Sequence, residues 1–189
     1  MVLEMATRPQ WDAAARRVPA VVALAAVAVL AVGVSPLLAG PLAVAVGTVD
    51  LVRIDVAELR LPNRIVLPCY PVAVAGIAAG GILTGEPSAA ALVSCASWLV
   101  FFLVLHLTGG MGMGDVKLAG LLGLCLGSIG AVWSIVGILL AFLFGGIGAL
   151  IVLARRVGGR NSRIPFGPFL LAGFWVTLAL SPLLAAPTP

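Results

Sequence analysis

The sequence predicts an all-α membrane protein that crosses the bilayer about six to seven times. Of its 189 residues, 62% are hydrophobic and only 10% are charged, and the mean hydropathy is +1.21. A water-soluble fold of this length could not bury so much apolar surface. The apolar residues also fall into long runs separated by short polar or glycine-rich stretches. We therefore expect one membrane-embedded domain over residues 1–189.

Seven apolar runs are the predicted spans, and residues 1–17 precede them as a short leader that contains three arginines. The spans are residues 18–38, 41–54, 66–84, 88–107, 116–126, 131–153 and 166–184. The first run reaches the length of about 20 residues that a helix needs to cross the hydrocarbon core. Since a second run begins just after Gly40-Pro41, we interpret the first as a retained span and not as a signal peptide.

Polar and glycine-rich breaks separate the later spans. Residues 55–67 are the most polar interior stretch, and Pro62 disfavours helix at the residue before it. Residues 85–88 predict a turn, with Ser88 as the N-cap of the fourth span. The stretch at 109–114 separates the fourth span from the fifth. These breaks set the loops on which the chain's charges fall.

The basic residues predict the orientation of the chain. If the spans alternate, the leader and the loops at 53–64, 108–117 and 154–164 face one side, and all 11 lysines and arginines lie there. The opposite side has Glu86 and no basic residue. This bias predicts that the basic loops and the leader face the cytoplasm. It also accounts for the net charge of +4 without a nucleic-acid partner.

Asp115 follows an unusual glycine-rich stretch. Residues 109–114 contain four glycines, and the apolar pattern returns directly after Asp115 and its neighbours. An ionisable residue at the edge of a span is costly and indicates a functional site. The alternative is an aspartate that only N-caps the following helix. The stretch by itself leaves both interpretations open.

Three motifs lie in order along residues 50–175. Residues 112–117 read G-M-G-D-V-K, residues 54–63 read I-D-V-A-E-L-R-L-P-N, and residues 164–169 read I-P-F-G-P-F. They resemble the G-x-G-D-x-K, I-D-x-x-x-x-x-(I/L)-P-(N/D) and I-P-F-G-P-F motifs of the type IV prepilin peptidases, a family of GxGD membrane aspartyl proteases. The chain has no paired C-x-x-C motifs, so it resembles a peptidase-only form without the cysteine insert linked to methylation.

The resemblance implies an aspartyl dyad formed by Asp55 and Asp115. Two spans separate these residues, which places both on the predicted cytoplasmic face. Two carboxyl groups held close together cannot both ionise cheaply, so one can keep its proton while the other activates a water molecule. Five further motif positions are assigned to substrate binding: Gly112, Gly114, Lys117, Pro62 and Asn63. No metal-ligand spacing is present in the sequence, and we expect neither a metal nor a cofactor.

Two other polar residues keep open roles. Asp50 is a rival for the first acid and could pair with Arg53, but it lacks the motif's offset to Pro62. His106 precedes the glycine-rich stretch and could influence the protonation of the dyad. It could equally be an interfacial residue at the end of a span.

The leading hypothesis is an aspartyl endopeptidase that cleaves prepilin-like precursors, whether pilin, pseudopilin or Flp-type, at the cytoplasmic face of a prokaryotic plasma membrane. The resemblance implies a substrate with a short basic leader followed by an apolar segment. The expected partners are this peptide and the lipid bilayer, and a homodimer is left open. The alternative hypothesis is a small transporter or pilus-assembly subunit in which the two aspartates relay protons or ions.

Overall fold

The computed structural model describes residues 8–86, 88–154 and 165–184, with side chains from Arg17 onward. Over these ranges the chain forms seven α-helices and no strand. The helices are α1 (Arg8–Val32), α2 (Ala39–Glu58), α3 (Asn63–Thr84), α4 (Ala89–Leu107), α5 (Met113–Ile129), α6 (Ala131–Ala154) and α7 (Gly167–Leu184). A short 3-10 turn, Pro36–Leu38, precedes α2. The predicted all-α class is confirmed.

Five of the described helices are long and apolar enough to cross a membrane. They are α2 together with the turn before it, α3, α4, α6 and α7. The apolar part of α1, residues 17–32, is shorter, and α5 has 17 residues. The chain is a multi-pass membrane protein, and the predicted count of six to seven spans includes these two shorter helices.

The second predicted span is longer than its sequence suggested. We expected it to end at Ile54, whereas α2 continues to Glu58 and includes Asp55. Polar residues did not end the helix: Glu58 in its last turn is exposed, and Asp55 is buried inside the protein. The helix ends where Leu59 adopts a left-handed conformation with φ of 53°, and Pro62 then occupies the N-cap position of α3. The break is therefore much shorter than the predicted 55–67.

The first predicted span also differs from the observed helix. Helix α1 already begins at Arg8, inside the segment expected to be a leader, and it ends at Val32 instead of Leu38. Gly33 follows with a positive φ of 71°, a conformation that glycine adopts without steric cost. In contrast, Ser88 does lie at the predicted N-cap position of α4, but its side chain makes no capping hydrogen bond.

Helix α5 is the central helix of the bundle. Its residues from Asp115 to Gly127 are buried with the exception of Lys117, which is half-buried. Glycines let α4 approach it closely, since a Cβ atom added at Gly123 would lie 2.7 Å from the Trp98 ring. Small residues favour such close helix packing in lipid. Because α5 is packed along its length, its first turn and Asp115 are held in place.

Helix α7 is anchored to two other helices. The Trp175 indole N–H donates to the Thr48 hydroxyl of α2 at 3.1 Å. A Cβ atom added at Gly173 would lie 2.6 Å from the backbone nitrogen of Ala141, so α6 and α7 pack backbone to backbone there. These contacts hold the first turn of α7 beside the C-terminal end of α2.

Candidate active site

The α2–α3 turn and the start of α5 enclose a cavity at one end of the helix bundle. Its volume is about 410 Å³, and it is lined by residues 54–55, 58–64 and 112–115. Both predicted acids line it, and so do four of the five residues assigned to substrate binding. The fifth, Lys117, lies beside the cavity and not in its lining.

Asp55 lies in the last turn of α2 and is buried, with 4% of its surface exposed. Its Oδ2 accepts a hydrogen bond of 2.9 Å from the backbone N–H of Gly167, the first residue of α7. The first N–H groups of a helix have no partner within the helix, and the positive end of its dipole favours a carboxylate. The start of α7 thus supplies the hydrogen bond that holds one oxygen of Asp55.

Asp115 lies in the first turn of α5 and is 8% exposed. Its Oδ2 accepts a hydrogen bond of 3.2 Å from the backbone N–H of Gly112, which occupies the N-cap position. Asp115 therefore satisfies one backbone group at the helix start, as the capping interpretation expected, although it is not the N-cap itself. Its other oxygen, Oδ1, is buried without a hydrogen-bond partner among the described residues. Burying an oxygen without a hydrogen-bond partner costs free energy, and helix capping does not explain why Oδ1 is buried in this way.

Leu61 separates the first turns of α5 and α7. A Cβ atom added at Gly114 would lie 2.8 Å from Leu61 Cβ, and one added at Gly167 would lie 3.2 Å from Leu61 Cδ2. Leu61 is buried, with 8% of its surface exposed. The two glycines therefore let both helix starts close on one side chain, and a larger residue at either position would push them apart.

Lys117 and Asn63 contact each other next to the cavity. The Lys117 Nζ donates to the Asn63 Oδ1 at 3.0 Å, which links the start of α5 to the start of α3. A second link follows at the same turn, because the Tyr70 hydroxyl donates to the Lys117 carbonyl oxygen at 2.7 Å. Two of the residues assigned to substrate binding are thus joined to each other at the rim.

The rival residues take other contacts. Asp50 forms an ion pair of 3.1 Å with Arg17, and not with Arg53, the partner that the sequence had left open. The physical reason is that α1 packs beside α2 and brings Arg17 to that position. His106 donates from Nδ1 to the Met111 carbonyl oxygen at 2.8 Å, which ties it to the glycine-rich turn. Neither Asp50 nor His106 lines the cavity.

Sequence reasoning missed two residues of the site. Gly167 belongs to the I-P-F-G-P-F segment, which was matched as a motif but given no role. Leu61 belongs to the motif of the first acid and was treated only as part of a helix break. Glu58, Arg60 and Arg64 also line the cavity and add charge to its wall. Over the described ranges, no group of three histidine, cysteine or acidic residues is arranged to hold a metal ion.

The model of the type IV leader peptidase family matches residues 42–150, which is more than half of the chain. The chain belongs to the type IV leader peptidase family. The matched range includes both acids of the cavity and ends before Gly167. The resemblance that the three motifs suggested is confirmed at the level of the family.

Curated relatives named prepilin leader peptidase/N-methyltransferase are similar to the chain. The protein from Xanthomonas campestris pv. campestris is 33% identical over 127 residues, which cover 65% of this chain and 43% of that relative. The one from Stutzerimonas stutzeri is 32% identical over 139 residues, covering 70% and 46%. The one from Pseudomonas aeruginosa is 41% identical over 85 residues, covering 43% and 28%. The matched part of this chain spans less than half the length of each relative, and no solved structure matches significantly.

Proposed function

We propose that this chain is a membrane aspartyl endopeptidase that removes the leader peptide from type IV prepilin-like precursors. The observation that carries the proposal is the burial of two motif aspartates, Asp55 and Asp115, in the wall of one cavity. Membership of the type IV leader peptidase family and the names of the relatives support the reaction and the substrate class. The proposed clients are pilin, pseudopilin or Flp-type precursors.

In the proposed mechanism the two carboxyl groups share one proton, because two buried charges of the same sign in one cavity repel each other. The ionised group accepts a proton from a water molecule while the oxygen of that water attacks the scissile carbonyl carbon. The protonated group donates to the carbonyl oxygen, and a proton then passes to the amine as the carbon–nitrogen bond breaks. The pair works as a unit, so neither Asp55 nor Asp115 is assigned a permanent role as acid or base.

The remaining motif positions would bind the substrate backbone. Gly112 and Gly114 carry no side chain where the cavity meets the start of α5, so an extended peptide can approach the backbone there. Pro62 and Asn63 also line the cavity, and Lys117 holds Asn63 in place. We propose that all five residues contact or orient the peptide next to the dyad.

We propose that residues 1–189 form a single membrane-embedded peptidase domain. Residues 1–189 carry no paired C-x-x-C motif. The one-sided distribution of lysine and arginine supports a plasma-membrane location with the cavity facing the cytoplasm. The alternative hypothesis, a proton or ion relay, uses the same two residues, Asp55 and Asp115. A direct assay of cleavage is therefore needed to separate the two functions.

Co-expression with precursors is the test of the proposed function. We expect a precursor with a short basic leader before an apolar segment to lose its leader when this chain is present, and mass spectrometry would locate the cut. Intact precursors in every pairing, together with a proton or ion flux in vesicles that Asp115→Asn abolishes, would favour the relay function instead.

Accessibility labelling tests the proposed orientation. Single cysteines introduced at Arg60 and at Gly112 are expected to react only with reagents that reach the cytoplasm, and one at Glu86 only with an impermeant reagent outside. The reason is that Arg60 and Gly112 line the same cavity, whereas Glu86 follows α3 at its far end. Labelling of the Gly112 site from outside the cell would contradict the proposed orientation.

A further inference from the structure

The first residue of α7 contacts a carboxyl group from a distant part of the chain. Gly167 donates its backbone N–H to Asp55 Oδ2 at 2.9 Å, although 112 positions separate the two residues. An N–H at the first turn of a helix is not used by the helix itself. This hydrogen bond can therefore serve Asp55 without weakening α7.

The space around Gly167 is shaped by the same carboxyl group. A Cβ atom added at this position would lie 2.7 Å from Asp55 Oδ2 and 3.2 Å from Asp55 Cγ. Both contacts are closer than side-chain atoms normally tolerate, so a larger residue would displace the acid. Residue 167 therefore needs both a free N–H and the absence of a side chain.

The two acids of the cavity are held in the same way. One oxygen of Asp55 is bound by the N–H of Gly167, and one oxygen of Asp115 is bound by the N–H of Gly112. In each case the donor is a glycine at the start of a helix. The second oxygen of Asp115 is left buried and unpartnered among the described residues. Such an arrangement orients each carboxyl group through one oxygen and keeps the other for chemistry.

We propose that Gly167 is a positioning residue of the reaction, and that the start of α7 orients Asp55 toward the scissile bond through the Gly167 N–H. This inference rests on the proposed peptidase function. The anchoring of α7 by Trp175 to α2 and by Gly173 to α6 makes its first turn a fixed support. This gives the I-P-F-G-P-F motif a role: its glycine orients Asp55 through a backbone N–H and contributes no side chain to the dyad.

Replacing the Gly167 amide by an ester, through incorporation of glycolic acid at this position, removes the N–H and adds no atom at Cα. We expect kcat for precursor cleavage to fall about ten- to a hundredfold, because a small misorientation of a catalytic group has effects of this order. KM should stay within about threefold of the parent value, because uniform substrate binding is not altered. The melting temperature in detergent should fall only slightly: no N–H bond within α7 is removed, and the ester only weakens the Phe166 carbonyl as the acceptor for the Phe169 and Leu170 N–H groups.

Three alanine variants provide matched controls. Gly167→Ala should lower kcat as the ester does, because the added methyl group displaces Asp55. Gly146→Ala should be neutral, because nothing lies within 4 Å of its added Cβ atom. Gly173→Ala should lower the melting temperature, because its Cβ atom would lie 2.6 Å from the Ala141 nitrogen. A structural role for Gly167 would make its alanine variant resemble that of Gly173.

The outcomes separate this inference from the proposed function. If the parent protein cleaves precursor and the ester variant has the parent kcat, the positioning role is wrong and the peptidase assignment stands. A rise in KM with an unchanged kcat would also overturn it. If the parent protein cleaves nothing, the peptidase assignment falls. In that case the hydrogen bond is tested by the infrared carboxyl band of Asp55, identified by its loss in Asp55→Asn. A band that the ester leaves unchanged shows that Gly167 does not hydrogen-bond Asp55 and overturns the inference.

Discussion

Asp55→Asn and Asp115→Asn are each expected to abolish precursor cleavage, with kcat falling about 10⁴-fold or more, the loss seen when a member of a catalytic unit is removed. Asparagine has the same shape as aspartate, and its carbonyl oxygen can still accept the N–H of Gly167 or Gly112. The fold should therefore be retained while the proton-transferring group is lost. The measurement is the single-turnover rate of cleavage of a purified precursor, with the melting temperature recorded in parallel.

Asp50→Asn is the matched control for the dyad. This change breaks the ion pair with Arg17, which is partly exposed and lies outside the cavity lining. Exposed ion pairs contribute about 0–1 kcal/mol to stability, so activity and abundance should stay near those of the parent.

The double variant of Asp55 and Asp115 should be no less active than either single variant, because the losses in rate from members of one catalytic unit do not add. Normal processing by Asp115→Asn would end the peptidase proposal.

Gly114→Ala is expected to slow cleavage about a hundredfold while leaving a stable, correctly inserted protein. The added Cβ atom would lie 2.8 Å from Leu61 Cβ and 3.3 Å from the Leu61 backbone nitrogen and oxygen. The first turn of α5 must then move away from the α2–α3 turn and carry Asp115 with it. A displacement of about 1 Å in a catalytic site can cost on the order of a hundredfold in rate.

The stability of this variant has a separate physical reason. Gly114 lies in the first turn of α5, where alanine keeps part of the preference of roughly 1 kcal/mol that it has over glycine in a helix interior. This gain offsets part of the steric cost at Leu61. Gly112→Ala is a graded comparison, because its Cβ atom would lie 3.3 Å from Asp115 Oδ2 and a smaller shift relieves the contact. An activity of Gly114→Ala equal to that of the parent would show that the glycine serves helix packing alone.

The sequence by itself determined the class of the protein, its family and the positions of the two acids. Apolar runs of span length have few alternatives to membrane helices, because backbone groups in lipid must be paired within the segment. The order of the motifs then placed Asp55 and Asp115 two predicted spans apart, and both line the cavity. These inferences used local patterns, and local patterns are visible in a sequence.

The tertiary structure alone decided which backbone groups hold those acids. Three contacts join residues far apart in the chain: the hydrogen bond from Gly167 to Asp55, the packing of Leu61 against Gly114 and Gly167, and the ion pair of Asp50 with Arg17. The extension of α2 to Glu58 likewise depended on where the helix emerges from the bundle and on the left-handed Leu59. Hydropathy locates segments along the chain, whereas the packing of helices determines which of their ends meet. A backbone N–H carries no signature in the sequence, so the group that orients Asp55 could be found only once α7 was placed beside α2.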